Sequence, residues 1–518
     1  MKIDAVALTV FVAFFGLVTV LGFYAARWRR GDLTQLDEWG LAGRRFGVAV
    51  SWFLIGGDLY TAYTLIAVPA AVYGTGAAGF FAVPYTILAY PIMFAVMPRL
   101  WNVSKHHNFV TPADFVRGRY GSNGLALAIA LTGILATMPY IALQLVGMQV
   151  VIGAMGITGS GLAGDLPLII AFVILAAYTY TSGLRAPAMI AFVKDIMIYA
   201  AVLVAICAIP AKLGGFAHVF AAAKVHFASV VPPAGSVILG PKAYWSYATL
   251  AIGSAMALFI YPHAVTGILS ANRVDVVKRN AVLLPAYSFL LGLVALLGYA
   301  AIAAGVHVTA PSQVMPAFFR LLFPSWFVGF AFAAIAIGAL VPAAVMSIAA
   351  ANLWTRNVYK TYLKPSATGA QEAQNAKFSS LVVKLGALAF IIGVPTQYAI
   401  NLQLLGGIWI LQTFPAIVVG LFGRWFHHRA LLWGWGAGML AGTALSFSQG
   451  VKPTFAFTLG SATFAPYIGL DALLVNLAVT CLLTIAFDRA GIARQIDITS
   501  ADEYLAAPAV VVATSTLG

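Results

Sequence analysis

The sequence predicts an all-α integral membrane protein with about 13 transmembrane helices. Of its 518 residues, 62% are hydrophobic and 8% are charged, whereas soluble domains carry about 25% charged residues. Apolar runs long enough to cross a bilayer, which takes roughly 20 residues, recur from one end of the chain to the other. Lys and Arg gather in the short loops between those runs, mostly on one side.

The first run, 5–26, exceeds the core of roughly 7–15 residues in a signal peptide and shows no small-residue cleavage site before Arg27, so it reads as a retained helix. Further spans are expected at 47–75, 78–98, 123–156, 166–184, 188–211, 245–270, 281–305, 326–351, 379–398, 402–423, 431–449 and 468–487. An odd number of spans puts the termini on opposite sides. Loops after the odd-numbered spans carry 21 Lys and Arg, against 6 on the other side. That asymmetry places the N-terminus outside and the C-terminus in the cytoplasm, in a cytoplasmic (inner) membrane. It also accounts for the net charge of +14 without nucleic acid as a partner.

Residues 1–490 read as one transmembrane domain and 491–518 as a short cytoplasmic tail. The outside segment 212–244 has room for a short interfacial helix. The segment 361–378 (TYLKPSATGAQEAQNAKF) reads as a flexible linker between halves. Cys207 and Cys481 lie in apolar runs without metal-ligand spacing and read as small core residues. Spans two to six (about 47–211) and seven to eleven (about 245–423) form two blocks of five. Five is odd, so the blocks have opposite topology. Each block opens on an interrupted helix, the arrangement that points to a solute site between inverted repeats.

The second span carries the strongest functional signal. GVAVSWFLIGGDLYTAYTLIAVPAAVYGTG places Asp58, Tyr60, Thr61, Tyr63 and Thr64 between Gly56-Gly57 and Pro69. Glycines weaken the helix and proline removes a donor. A carboxylate at mid-membrane costs about 2.5–3.5 kcal/mol on insertion scales and is functional by default. The bland alternative is a kinked packing helix with a neutral, hydrogen-bonded acid. Asp58 is the candidate cation ligand or proton carrier. Tyr60, Thr61, Tyr63 and Thr64 offer hydroxyls to a solute carboxylate. On an unbroken helix Tyr60 and Thr64 share a face, as do Thr61 and Thr64.

The seventh span is interrupted at Gly253 and at Pro262-His263. His263, if protonated, suits a solute carboxylate; a lone histidine is more often structural. Trp409 and Gln412, in LLGGIWILQTFP, supply an indole and an amide for a solute, with packing the alternative for Trp409. Lys194 and Asp195 are neighbours expected on different helix faces. Lys194 is expected to snorkel to the cytoplasmic interface, and Asp195 to act as a structural or coupling acid. His106-His107 and His427-His428 read as solvated loop residues. No enzyme constellation is present: HExxH, a P-loop and a convincing nucleophile elbow are all missing.

Several stretches together resemble the sodium:solute symporter family. They are EWGLAGRR (38–45), GGDLYTAYTLIAVPAAVYGTG (56–76), TPADFVRGRYGS (111–122), SGLRAPAMIAFVKD (182–195), YPHAVTGILSA (261–271), AAVMSI (343–348), NVYK (357–360) and PAIVVGLF (415–422). Within the family the chain is most similar to bacterial monocarboxylate permeases. The resemblance implies a LeuT-like inverted-repeat fold that works by alternating access. It also implies a sodium site built from the carbonyls of Gly56 and Leu59, with Asp58 beside them, and from the Ala344 carbonyl and Ser347 hydroxyl. Here the chain departs from the pattern, because Ser347 is followed by Ile348 where sodium users carry a second hydroxyl. A hard cation wants oxygen ligands, so a proton, carried by Asp58 or His263, remains the alternative coupling ion.

The sequence therefore predicts a non-enzymatic secondary transporter with no cofactor beyond its coupling ion. It is expected to move small monocarboxylates such as lactate, pyruvate or acetate with sodium, or with protons. The rivals are a symporter of proline, alanine or another small solute, and a membrane sensor that binds solute without moving it. A membrane enzyme ranks below both.

Overall fold

A computed structural model describes residues 3–28, 31–157, 162–230, 235–393, 405–460 and 462–505. The side chains of residues 62, 63, 162–164, 393, 459, 462 and 463 lie outside that description. The helices that organise the molecule are α1 (Ala5–Tyr24), α2 (Val48–Leu59), α3 (Ala62–Thr75), α4 (Ala82–His106), α5 (Asn123–Ala154), α6 (Leu162–Ser182), α7 (Arg185–Leu213), α8 (Tyr244–Leu258), α9 (Pro262–Leu269), α10 (Val274–Leu283), α11 (Pro285–Ala303), α12 (Ser325–Trp354), α13 (Gly369–Gly393), α14 (His428–Ser448) and α15 (Ile468–Arg489).

Among the described residues, ten helices are long and apolar enough to span a bilayer. Two further spans are bent pairs, α2 with α3 at 42° and α8 with α9 at 48°. The predicted eleventh span, 402–423, is a shorter apolar helix at Leu405–Leu421, and its first residues lie outside the description. Residues 394–398 of the predicted tenth span also lie outside it. Among the described residues the fold is all-α apart from one short antiparallel hairpin, Phe457–Leu459 with Ala462–Phe464.

The α12 helix is the hub. Its sequence, AFAAIAIGALVPAAVMSIAAAN, is dominated by small residues that let neighbouring backbones come close. It is buried over nearly its whole length and packs on α1, α5, α7 and α13. Outward-facing helices instead expose large apolar side chains such as Val20, Ile196 and Leu440, as a lipid-facing surface requires. Cys207 belongs to that exposed set rather than to the core.

Many loop arginines do structural work in addition to setting topology. Buried Arg44 donates to the carbonyls of Leu269, Ser104 and Phe109, and Arg185 donates to the Glu38 carbonyl and carboxylate. Backbone bonds from Phe46 to Ser270 and from Asn272 to Phe46 tie the segment before α2 to the segment after α9. Both bent spans are thus anchored to each other at one end. The segment 212–244 does hold a helix, Phe216–Ser229, which buries Val219, Ala223 and Phe227.

Two loop expectations are corrected. The stretch 361–378 is not a flexible linker. Residues 355–363 form a π-helix and α13 starts at Gly369, with Glu372 pairing Arg356 and Lys360 at 3.0 Å each. The histidine pairs are not free in solvent either. His427 is buried and caps α14 by accepting the Arg429 N–H, and His107 pairs with Glu503 at 2.8 Å.

The His107–Glu503 pair belongs to a clasp of the C-terminal segment over the loops below α4 and the 112–120 helix. Ile498 N–H donates to Gly118, Arg119 pairs with Asp497, and Asn102 donates to the Tyr504 carbonyl. Burial pushes the Glu503 carboxyl up, but the Ser500 N–H and the His107 ring outweigh it, leaving it below its ordinary value. Its contribution to the clasp is therefore complete above the ordinary carboxylate range and is lost as pH falls through the lowered value. Glu503→Gln is expected to make the tail protease-sensitive at neutral pH. Limited proteolysis followed by mass spectrometry checks this; equal cleavage rates for both proteins would count against it.

Candidate functional site at the broken helices

The α2 helix ends at Leu59, and Tyr60 and Thr61 are extended before α3 begins at Ala62. The break thus falls three residues beyond Gly56-Gly57, and the shared helix face expected for Tyr60 and Thr64 does not exist. The glycines serve close approach rather than flexibility. A Cβ at Gly56 would run into the Tyr287 ring, and one at Gly57 would lie 2.9 Å from Lys194 Nζ and 3.0 Å from Asp195 Oδ2. On the partner span the break lies at Phe259–Tyr261, and Pro262 opens α9 where its missing N–H costs nothing. Gly253 sits inside α8 against the Tyr467 ring.

Asp58 and His263 meet between the two breaks. Both are buried, and His263 Nε2 is 3.7 Å from Asp58 Oδ2. Asp58 Oδ1 and His263 Nδ1 have no hydrogen-bond partner among the described residues. The His263 ring lies 5.2 Å from the Tyr261 ring and 5.6 Å from the Tyr140 ring. Tyr140 and Tyr261 in turn line a cavity of about 90 Å³ with Tyr85, Ser254, Gly407 and Tyr467. A buried carboxylate and imidazole therefore stand behind a small chamber edged with phenol groups.

Behind the break lies a second charge cluster. Lys194 on α7 is fully buried and does not snorkel. Its Nζ donates to the carbonyls of Gly57 and Tyr60 and lies 2.8 Å from Asp195 Oδ1. Although neighbours in sequence, the two side chains converge, because both fill the gap that Gly57 leaves. Asp195 also accepts the Tyr287 hydroxyl at 2.6 Å, and the Tyr60 hydroxyl donates to the Tyr287 carbonyl. Tyr287 carries no sequence motif to mark it, and Lys194, expected at the cytoplasmic interface, lies instead in the interior. Only an unusual pattern, a lysine deep in an apolar span beside an acid, signalled it.

The Gly56 carbonyl accepts Tyr60 N–H at 3.0 Å, and the Leu59 carbonyl accepts the Thr64 hydroxyl at 3.0 Å. Thr61 is buried, and its N–H points to the Thr64 hydroxyl at 3.4 Å. The Tyr63 side chain lies outside the described residues. The Ala344 carbonyl accepts the Ser347 hydroxyl at 2.8 Å. That hydroxyl also receives Ser380, which itself receives Lys384 Nζ at 2.6 Å. Ile348 is buried beside it. Trp409 donates to Thr443 on α14, and Gln412 bonds Ile408, Gly469 and Asn476. Those two residues knit the late helices together; neither bonds to the Asp58 cluster.

A helical membrane bundle with two bent spans meeting around buried charges is the architecture of an alternating-access transporter. The chain belongs to the sodium:solute symporter family, whose model matches residues 39–442. It is 57% identical to the monocarboxylate transport permease protein of Rhizobium johnstonii, over 93% of this chain and 97% of that one. It is 34% identical to the uncharacterized symporter YodF of Bacillus subtilis, over 83% and 85% of the two chains. Its fold matches that of a Na+-coupled sialic acid symporter with a TM-score of 0.76, over 95% of this chain and 98% of the other, at 13% identity. The protein is a multi-pass membrane symporter with a LeuT-like fold, and not an enzyme.

Proposed function

We propose that the protein couples the inward movement of small monocarboxylates, such as lactate, pyruvate or acetate, to a cation gradient, with sodium ahead of protons. The observation that carries this reading is the 57% identity to a monocarboxylate permease over nearly the whole of both chains. The site is compatible with it. The 90 Å³ chamber suits a solute of few atoms, and its phenol hydroxyls can donate to a carboxylate. His263 packs behind two of those tyrosines, Tyr140 and Tyr261. The cargo cation is placed at the α2–α3 break, beside Asp58, Asp195 and the Gly57 and Tyr60 carbonyls that Lys194 holds in this structure. The basic loops support an N-terminus outside and a C-terminus in the cytoplasm of the inner membrane.

Uptake of labelled lactate and pyruvate into proteoliposomes tests the reading, under a sodium gradient alone and under a proton gradient alone. Concentrative uptake under either one supports monocarboxylate symport and names the coupling ion. Absence of uptake under both would sink it and favour another small solute, such as proline or alanine.

A further inference from the structure

The Lys194 ammonium has a place that symport does not by itself require. Fully buried, it sits across the α2–α3 break and donates to the Gly57 and Tyr60 carbonyls, which flank the extended residues. The donor that an unbroken helix would bring to Gly57 is the Thr61 N–H, and that group is turned to the Thr64 hydroxyl instead. The break therefore exposes hard backbone oxygens, and Asp195 adds a carboxylate oxygen 2.8 Å from the same Nζ. Such a set of oxygens is what a small hard cation takes. The four oxygens that family resemblance assigned to sodium, on Gly56, Leu59, Ala344 and Ser347, are all engaged by protein donors.

We propose that Lys194 is a tethered competitor of the transported cation: its ammonium fills the cation position at Gly57, Tyr60 and Asp195, and a sodium ion binds there only when the lysine side chain withdraws. This rests on reading the chain as a cation-coupled symporter, and is independent of which solute it carries. The arrangement gives the break a plug of fixed charge. It holds Tyr60 in its extended conformation, with the Tyr60 hydroxyl on Tyr287, until a mobile cation takes over the same oxygens. Two cations cannot share so small a cage, because like charges at contact distance in a low-dielectric interior repel strongly.

The test measures binding of labelled sodium to detergent-purified protein, with choline replacing sodium as the ionic-strength control and with neither solute nor gradient present. Lys194→Met removes the competitor and leaves the three oxygens, so it is expected to bind sodium at least tenfold more tightly than the wild type. Its melting temperature should also rise more with added sodium, since a ligand stabilises the state that it binds. Adding Asp195→Asn to Lys194→Met should abolish the gain. Lys194→Gln, which keeps a polar group in the gap, gives the same comparison if the methionine variant does not fold. Sodium affinity in the lysine variants equal to or weaker than that of the wild type would overturn the proposal. So would a tenfold gain that survives Asp195→Asn. Because no solute enters this assay, its failure leaves the monocarboxylate reading standing, and failed uptake leaves the binding result standing.

Discussion

Asp58→Asn is expected to reduce solute uptake by about 100-fold, which corresponds to about 2.7 kcal/mol, while leaving the protein folded. Asparagine keeps the shape of the side chain but removes its charge and exchanges one acceptor oxygen for an NH2 donor. The carboxyl group is buried, carries one oxygen without a partner among the described residues, and stands 3.7 Å from His263 Nε2. A hydrogen bond to a charged group is worth about 1.5–3 kcal/mol, so losing the group at the break that can hold a cation or proton opposite His263 is large enough for the expected fall. A stability role alone would show as poor expression or early melting with normal uptake per folded molecule. Uptake normalised to folded protein, measured by gel filtration before reconstitution, separates the two. Wild-type rates in the variant would remove Asp58 from the transport site.

The second large effect is expected at Asp195. Changing it to Asn leaves the Lys194 ammonium in the interior without its carboxylate, and breaking a buried pair by removing one partner costs about 3–5 kcal/mol. The amide oxygen can still accept the Tyr287 hydroxyl, so the loss reports on the ion pair more than on that hydrogen bond. Survival of monodisperse protein after heating in detergent should fall sharply. The double change Lys194→Met with Asp195→Leu removes both charges and should recover much of the stability, because an apolar pair often replaces a buried ion pair at little cost. It should not recover transport. If Asp195→Asn melted with the wild type, the pair would contribute little to holding the break.

The sequence made the membrane class, the broad span pattern and the family legible, since each rests on long runs and ordered motifs. Apolar runs with few charges have few soluble alternatives, and the eight short motifs from 38 to 422 fall in one order. Asp58 and His263 could be picked out one by one because a charge or imidazole beside a helix breaker is conspicuous in an apolar chain. That they face each other could not, because 205 residues separate them and neither position carries information about the other.

Local logic failed where tertiary contacts set the backbone. Helical periodicity put Tyr60 and Thr64 on one face, but the chain is extended at Tyr60, whose carbonyl is held by Lys194 and whose hydroxyl is held by Tyr287. The same contacts decided Lys194. By sequence it is a long basic side chain with an interface to reach; in the fold, the carbonyls of the broken helix lie within its reach, and Gly57 leaves room for it. Residues 361–378 read as a linker by sequence, yet Glu372 meets Arg356 and Lys360 and fixes the turn. The sequence by itself determined what environment this chain lives in and which family it joins, because burial in lipid constrains composition everywhere. Which oxygens stay free for a cation was decided only by the tertiary structure, because hydrogen bonds from α7, α11 and α13 arrive from residues far along the chain.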